Sequence, residues 1–185
     1  MDRLTILQAI KRCAVEYAIH MFEPSPPFQP FATDDSRFIL LRAANRVGKT
    51  RHGTWLAAKK AIENPGFRIR IVGATVKQTN TVVGRYLSDF LGPYLHEKSY
   101  YTEGKGWNRA DIMLANGSTI QLKSSEDKPV AHAGDEFHLV VFDEPPTPAI
   151  FNENVMRISS LKGTIWVLMT CASHLLGPSL SLIHI

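Results

Sequence analysis

Residues 42–50 place the tightest constraint on how this chain can fold. They read Arg-Ala-Ala-Asn-Arg-Val-Gly-Lys-Thr, follow the apolar run Phe-Ile-Leu-Leu at 38–41, and precede a segment with helical spacing. This order predicts a strand, a tight loop and a helix start, which is the context that a phosphate-binding loop requires. Backbone N–H groups of such a loop and the positive end of the following helix favour a bound anion.

The residue types in the loop indicate how a nucleotide is held. Lys49 is predicted to reach the β- and γ-phosphates, and Thr50 is predicted to hold Mg²⁺. The usual pattern opens with glycine, where this chain has Ala43. We expect the methyl group of Ala43 to be tolerated only if its φ stays negative. The predicted nucleotide contacts from this stretch are Ala43, Ala44, Asn45, Arg46, Val47, Gly48, Lys49 and Thr50.

A short aromatic stretch precedes the first strand. Phe28, Gln29 and Phe31 lie where an aromatic ring and an amide can hold an adenine ring. A connector that packs two Phe side chains against the core explains the same residues equally well. Gln29 is therefore a candidate nucleotide contact. Phe28 and Phe31 either hold the adenine ring with it or pack in the core.

A second apolar stretch, residues 138–142, ends in two carboxylates. Open α/β sheets place their chemistry at the carboxyl ends of such strands. Asp143 is predicted to bind Mg²⁺, directly or through water, and Glu144 to orient and deprotonate an attacking water. The pair indicates hydrolysis of the nucleotide rather than binding alone.

Length and composition indicate one domain. A chain of 185 residues with 44% hydrophobic content can form one complete α/β core. Eight Lys or Arg but a single acid lie between residues 42 and 70, which suits nucleotide phosphates and a nucleic-acid backbone. For Lys59 and Lys60, a solvated helix face is an equal explanation. Two distant cysteines indicate neither disulfide nor zinc and fit a reducing cytoplasm, and no apolar run approaches the length of a membrane span.

The remaining pattern alternates strands and helices. We predict a helix over 4–22, an extended proline-rich connector over 24–30, a helix from 50 to 63, a strand over 68–73, a helix over 76–91, an antiparallel hairpin around Asn116 and Gly117, and a strand over 163–170. The fold class is α/β: a P-loop NTPase with a mainly parallel sheet flanked by helices and an antiparallel hairpin insertion.

Three polar residues are expected at the functional edge of this sheet. Lys77 and Gln78 follow the second strand and suit either DNA-backbone contact or ordinary solvation of a helix start. Thr170 ends the last strand, where its hydroxyl suits either γ-phosphate sensing or capping of the strand end.

Residues 45–50, residues 141–146 and the strand ending at Thr170 together resemble the large terminase subunit of tailed bacteriophages, over about residues 28–173. That family has a variant phosphate loop that lacks the first glycine. The resemblance implies that Lys49 and Thr50 bind phosphate and Mg²⁺, that Asp143 is the metal carboxylate and Glu144 the catalytic one, and that Thr170 lies in a coupling segment. It also implies a catalytic role for Arg46, which is expected to contact the γ-phosphate or the neighbouring coupling elements.

The same resemblance implies an ATP- and Mg²⁺-dependent motor that moves double-stranded DNA into a procapsid. A homo-oligomeric ring, a portal protein, a small terminase subunit and a location in the host cytoplasm at the procapsid are implied with it. Ring motors commonly take an arginine from a neighbouring subunit, and Arg46, Arg109 and Arg157 are all open for that role. Family members usually continue into a nuclease domain, which we do not expect within these 185 residues.

We expect an N-terminal helix and connector over 1–27, an ATPase domain over 28–173 and a non-native tail over 174–185, so that the chain is truncated. A helicase or another DNA-remodelling ATPase shares the paired Asp-Glu chemistry and is the main alternative. A nucleotide kinase needs no water-activating glutamate, so the sequence favours an ATPase over a kinase. A non-catalytic interaction module explains neither Lys49 nor Glu144 and is the least favoured interpretation.

Overall fold

The computed structural model of the protein describes Cys13, residues 18–170 and the backbone of residues 181–184. Of the predicted helix over 4–22, the described part is Cys13 and the turn α1 (Ala18–Met21). The rest of that helix lies outside the described residues, as does most of the expected tail over 174–185. The proposed divisions of the chain at residues 28 and 174 stay predictions.

A mainly parallel sheet forms the centre of the protein, as predicted. Its strand order is β5-β6-β2-β7-β8-β1-β9, in which the five strands from β6 to β1 are parallel and the two edge strands run antiparallel. The strands are β1 (Phe38–Ala43), β2 (Arg68–Gly73), β5 (Asp111–Met113), β6 (Thr119–Ser124), β7 (Leu139–Asp143), β8 (Thr164–Thr170) and β9 (Ser181–His184).

Helices cover both faces of the sheet. They are α2 (Gln29–Ala32), α3 (Lys49–Glu63), α4 (Val76–Gln78), α5 (Gly84–Leu91) and α6 (Pro148–Ser159). A π-helical stretch, Thr79–Val83, joins α4 to α5, so the predicted helix over 76–91 is present with one widened turn. Among the described helices, none has the length and apolar character needed to cross a membrane.

Each face of the sheet has its own hydrophobic cluster. On one face, α3 and α5 pack against Leu41, Ile71 and Val141. On the other face, α6 packs against Val140 and Phe142. Burial on both faces is why β7 is apolar at every position before Asp143, since a strand covered by helices on both sides has no solvent-facing row.

The predicted hairpin is present and belongs to the main sheet. β5 pairs antiparallel with β6 across the Asn116-Gly117 turn, in which Gly117 has a φ of +84°. β6 in turn pairs in parallel with β2, so the hairpin extends the sheet at its edge. A separate two-stranded sheet, β3 (Tyr101–Thr102) with β4 (Gly106–Trp107), was not predicted.

The extended connector predicted over 24–30 is wrong. Pro26–Phe28 forms a 3-10 helix, and α2 follows it directly. Both turns have proline in their first two positions, where the missing N–H costs no helical hydrogen bond. The prolines therefore begin short helices here, and Phe28 and Phe31 are buried in the core.

A buried polar cluster surrounds Arg70 on the α6 face of β2. The Arg70 guanidinium donates to Gln121 Oε1 at 2.9 Å, to the His132 carbonyl at 2.8 Å and to Asn154 Oδ1 at 2.9 Å. It also lies 4.1 Å from the centroid of the Phe137 ring. Burial lowers the pKa of Arg70 to about 10. The cluster ties β2 to α6 and to the crossover that precedes β7.

Candidate functional site

The candidate site lies where three neighbouring parallel strands end. In the register of the sheet, Ala43 of β1 is opposite Thr170 of β8, and Asp143 of β7 is opposite Leu168. The carboxyl ends of parallel strands share one edge, so loop 44–48, Glu144 and Thr170 come together there. The residues predicted from the loop and from the ends of β7 and β8 therefore converge, although they come from distant parts of the chain.

Loop 44–48 contains two residues in the left-handed region. Gly48, the N-cap of α3, has a φ of +95°, and Arg46 has a φ of +63°. Ala43 lies inside β1 and is not among the residues with positive φ, which confirms the condition placed on its methyl group. A non-glycine residue at positive φ is held there by its surroundings, and such residues concentrate at functional sites.

Lys49 and Thr50 begin α3 and face the other parts of the site. Lys49 is buried, and its ammonium donates to the Ala44 carbonyl at 3.1 Å. The Thr50 hydroxyl donates to Asp143 Oδ1 at 2.7 Å. This bond joins the start of α3 to the end of β7, which is the pairing that the sequence predicts for a shared metal ion.

Asp143 is buried, with 3% of its surface exposed. Burial raises the pKa of the Asp143 carboxyl, Glu144 adds to the increase, and the Thr50 hydrogen bond and Lys49 oppose it. A buried carboxylate beside a hydroxyl supplies the hard oxygen donors that Mg²⁺ prefers. Among the described residues, no group of three or more His, Cys, Asp or Glu is placed to hold a metal ion. The oxygens of Thr50 and Asp143 are of the kind that Mg²⁺ binds, and the ion would take its other ligands from phosphate and water.

Glu144 is held by the end of β8. Its backbone has a φ of +101°, and its N–H donates to the Leu168 carbonyl at 2.9 Å. The Thr170 N–H donates to Glu144 Oε2 at 3.2 Å, and the Thr170 hydroxyl donates to Glu144 Oε1. The Thr170 oxygen also lies 3.4 Å from Asn45 Oδ1 of the loop. Thr170 thus connects the carboxylate of Glu144 with loop 44–48.

Of the three candidate arginines, the site includes one. Arg46 is exposed on loop 44–48. Arg157 accepts the Phe137 N–H at its carbonyl, which places it near the start of β7, at the opposite end of that strand from Asp143. Arg109 precedes β5, three strands from β7 or roughly 14 Å across the sheet, and donates to Met113 Sδ at 3.3 Å.

The aromatic residues near Gln29 pack in the hydrophobic core. Phe28 stacks on the His52 ring with 3.9 Å between centroids, and Phe31 contacts Trp166 edge to face. Both rings are 2% exposed, so neither offers a free face to an adenine ring. The structure fits the alternative in which Phe28 and Phe31 pack against the core. Gln29 is exposed, and its contact with a nucleotide stays a prediction.

The basic residues fall into two groups. Lys59 pairs with Glu63 at 3.8 Å near the far end of α3, and Lys60 lies over the Trp166 ring, which fits a solvated helix face. Lys77 is exposed on α4, directly beyond the carboxyl end of β2, and Gln78 donates its backbone N–H to the Thr75 hydroxyl. Lys77 and Gln78 therefore lie at the same edge of the sheet as the candidate site.

His52 is a neighbour of the site that sequence reasoning missed. Its Nδ1 lies 2.8 Å from the Gly48 carbonyl, and burial lowers its pKa. The available signal was its spacing: a residue four positions after Gly48 lies on the same side of α3, one turn further on.

Comparison with known protein families gives a match over most of the chain. The family model of the terminase large subunit, T4-like virus type, N-terminal, matches residues 40–174. No curated protein sequence matches the chain.

Solved structures share the fold at low sequence identity. The ATPase domain of the large terminase of Thermus phage P74-26 aligns with a TM-score of 0.64 and 14% identity, over 83% of this chain and 67% of that one. The large terminase of another thermophilic bacteriophage aligns with a TM-score of 0.63 and 16% identity, over 80% of this chain and 39% of that one. The latter protein in complex with ADP aligns with a TM-score of 0.59 and 18% identity, over 78% of this chain and 38% of that one.

This chain therefore spans well under half of that second large terminase. The family match covers most of this chain and includes loop 44–48, Asp143, Glu144 and Thr170 of the candidate site. The chain belongs to the family of phage terminase large subunits and contains its N-terminal, ATPase-type domain.

Proposed function

We propose that this chain is the ATP-hydrolysing motor domain of a phage DNA-packaging terminase, which couples hydrolysis to translocation of double-stranded DNA into the procapsid. The observation that carries the proposal is the position of Thr170, between the Glu144 carboxylate and Asn45 of loop 44–48. A group that touches both the water-activating carboxylate and the nucleotide loop can respond to the loss of the γ-phosphate.

Nucleotide binding is assigned to loop 44–48 and the start of α3. Backbone N–H groups of the loop and the positive end of the 15-residue α3 attract the phosphates. Lys49 exchanges its bond with the Ala44 carbonyl for the β- and γ-phosphates. Thr50 and Asp143 would hold Mg²⁺, which supplies charge neutralisation at the phosphates. Arg46, exposed on the loop, is assigned to the γ-phosphate, and Gln29 to the base.

Hydrolysis is assigned to Glu144. The carboxylate takes a proton from a water molecule, whose oxygen bonds to the γ-phosphorus as the bond to the ADP oxygen breaks. The two hydrogen bonds from Thr170 hold the carboxylate in a fixed orientation at the end of β7. A neighbouring subunit of a homo-oligomeric ring contributes a further arginine, for which Arg109, exposed next to the edge strand β5, is a candidate.

DNA contact is assigned to the exposed edge that includes Lys77 and Gln78. The portal protein and the small terminase subunit are the expected protein partners, and the host cytoplasm at the procapsid is the expected location. The assignments of the protein partners and of the location rest on membership of the terminase family. The helicase-like alternative uses the same ATP chemistry, and ATP-dependent unwinding of duplex DNA by the chain would favour it.

The test is MgATP binding and hydrolysis by the purified chain and by Lys49→Ala. The variant is expected to lose binding by roughly 100-fold or more, because a buried ammonium no longer meets the phosphates. Lys59→Ala is the matched control, since it removes an ammonium from the same helix at a solvated pair with Glu63. Equal MgATP affinity in Lys49→Ala and wild type would refute the assignment of the loop.

A further inference from the structure

His52 lies in the first turns of α3 and is almost completely buried. Its backbone N–H donates to the Gly48 carbonyl at 2.9 Å, as expected in a helix. Its side-chain Nδ1 lies 2.8 Å from the same oxygen. The Gly48 carbonyl, which directly precedes Lys49, therefore has the backbone N–H and the side-chain Nδ1 of His52 as its two hydrogen-bond partners.

The other ring nitrogen of His52 reaches the segment before β1. The Ser25 backbone N–H donates to His52 Nε2 at 3.3 Å. A backbone N–H can only donate and a carbonyl can only accept, so these two partners require a proton on Nδ1 and a lone pair on Nε2. The neutral Nδ1–H tautomer of His52 thus connects Gly48 with Ser25.

The ring faces of His52 are packed as well. Phe28 stacks on it at 3.9 Å with 9° between the planes, and Phe22 contacts it edge to face at 5.1 Å. A methyl group added to Gly48 would lie 3.1 Å from His52 Nδ1, so the ring also closes directly against the loop backbone.

We propose that His52 is a positioning residue for nucleotide binding, which holds the Gly48 end of loop 44–48 in the phosphate-binding conformation by anchoring it to the Ser25–Phe28 turn. Arg46 has a positive φ, a conformation that a non-glycine residue keeps only where its surroundings fix it, and His52 contributes to those surroundings at the Gly48 end of the loop. A loop that is already fixed does not lose conformational entropy when the nucleotide binds. The inference rests on the proposed function, because it concerns the affinity of that same site.

The test compares three variants of the full chain by calorimetric titration with MgATP. His52→Phe retains a ring that stacks on Phe28 and removes both hydrogen bonds. His52→Asn places an amide N–H near the position of Nδ1 and can donate to the Gly48 carbonyl. His52→Gln reaches toward Ser25 and does not restore the donor at Gly48.

We expect His52→Phe to raise the Kd for MgATP about tenfold, the value of one to two hydrogen bonds. His52→Asn should recover most of that affinity and His52→Gln little of it. The KM for ATP should follow the Kd, while kcat at saturating ATP stays near the wild-type value, because His52 does not contact Glu144 or Thr170. His20→Phe is the matched control, since His20 is exposed and contacts the Tyr94 hydroxyl instead.

Unchanged MgATP affinity in His52→Phe, or a fall in kcat at unchanged KM, would overturn the role of His52. If His52→Phe does not fold, equal affinities of His52→Asn and His52→Gln would overturn it instead. A wild-type chain that binds no MgATP would refute the proposed function together with this inference. If the wild-type chain binds MgATP and the His52 variants bind it with the same affinity, the inference about His52 is refuted and the proposed function is not.

Discussion

Replacing Glu144 with glutamine separates nucleotide binding from hydrolysis. The general base is required in the transition state and not in the bound ground state. Its removal is expected to lower kcat by roughly 10²–10⁴-fold, which corresponds to about 3–5 kcal/mol of barrier. Binding of MgATP through loop 44–48 and Lys49 should be unchanged.

The structure indicates that glutamine fits without disturbing the fold. Its Oε1 can accept from the Thr170 N–H in place of Glu144 Oε2. Its amide can donate to the Thr170 oxygen, whose own proton then turns toward Asn45 Oδ1, 3.4 Å away. The substitution thus exchanges charged hydrogen bonds for neutral ones, which costs about 1 kcal/mol of folding stability.

The assay combines single-turnover phosphate release with thermal unfolding. MgATP at roughly 100 times its Kd stabilises a folded protein by about 2.7 kcal/mol, and Glu144→Gln should show the same stabilisation as wild type. Glu103→Gln is the control, because Glu103 is exposed in the turn between β3 and β4. Wild-type turnover in Glu144→Gln would refute the role of Glu144, and lost stabilisation by MgATP would refute the separation of binding from chemistry.

Two further substitutions test the surroundings of the site. Asp143→Asn should raise the unfolding temperature of the nucleotide-free protein at neutral pH and lower Mg²⁺-dependent hydrolysis by roughly 100-fold. The raised pKa of Asp143 means that the folded state binds the proton more tightly, so stability falls as pH rises from 3.8 through the folded-state pKa. Wild-type hydrolysis in this variant, or a lower unfolding temperature, would contradict the assignment. Arg70→Met should lower the free energy of unfolding by about 3 kcal/mol, because it leaves oxygens of the buried His132 and Asn154 and of the half-buried Gln121 without this donor. Urea denaturation measures this, and an unchanged midpoint would contradict it.

Several elements of the fold were predictable because their signals are local. β2, α3 and the hairpin at Gly117 follow from apolar periodicity, the Pro65-Gly66 stop after α3 and a tight-turn dipeptide, each of which acts within a few residues. The extended connector was predicted wrongly because proline suits both the first turn of a helix and extended chain. Which of the two forms was decided by burial of Phe28 and Phe31 against α3 and β8.

The sequence alone determined the inventory of the candidate site: a loop ending in Gly48-Lys49-Thr50, two carboxylates after a buried strand, and a hydroxyl at the end of another. Motif spacing is sufficient for this because each group is placed by the strand that comes directly before it. Tertiary structure decided which groups touch. The order β7-β8-β1 puts Thr170 between Glu144 and Asn45, and Phe28 stacks on the His52 ring, whose Nδ1 lies beside the Gly48 carbonyl. These contacts join residues that are far apart in the chain, and strand order and side-chain packing are set by the free energy of the whole core.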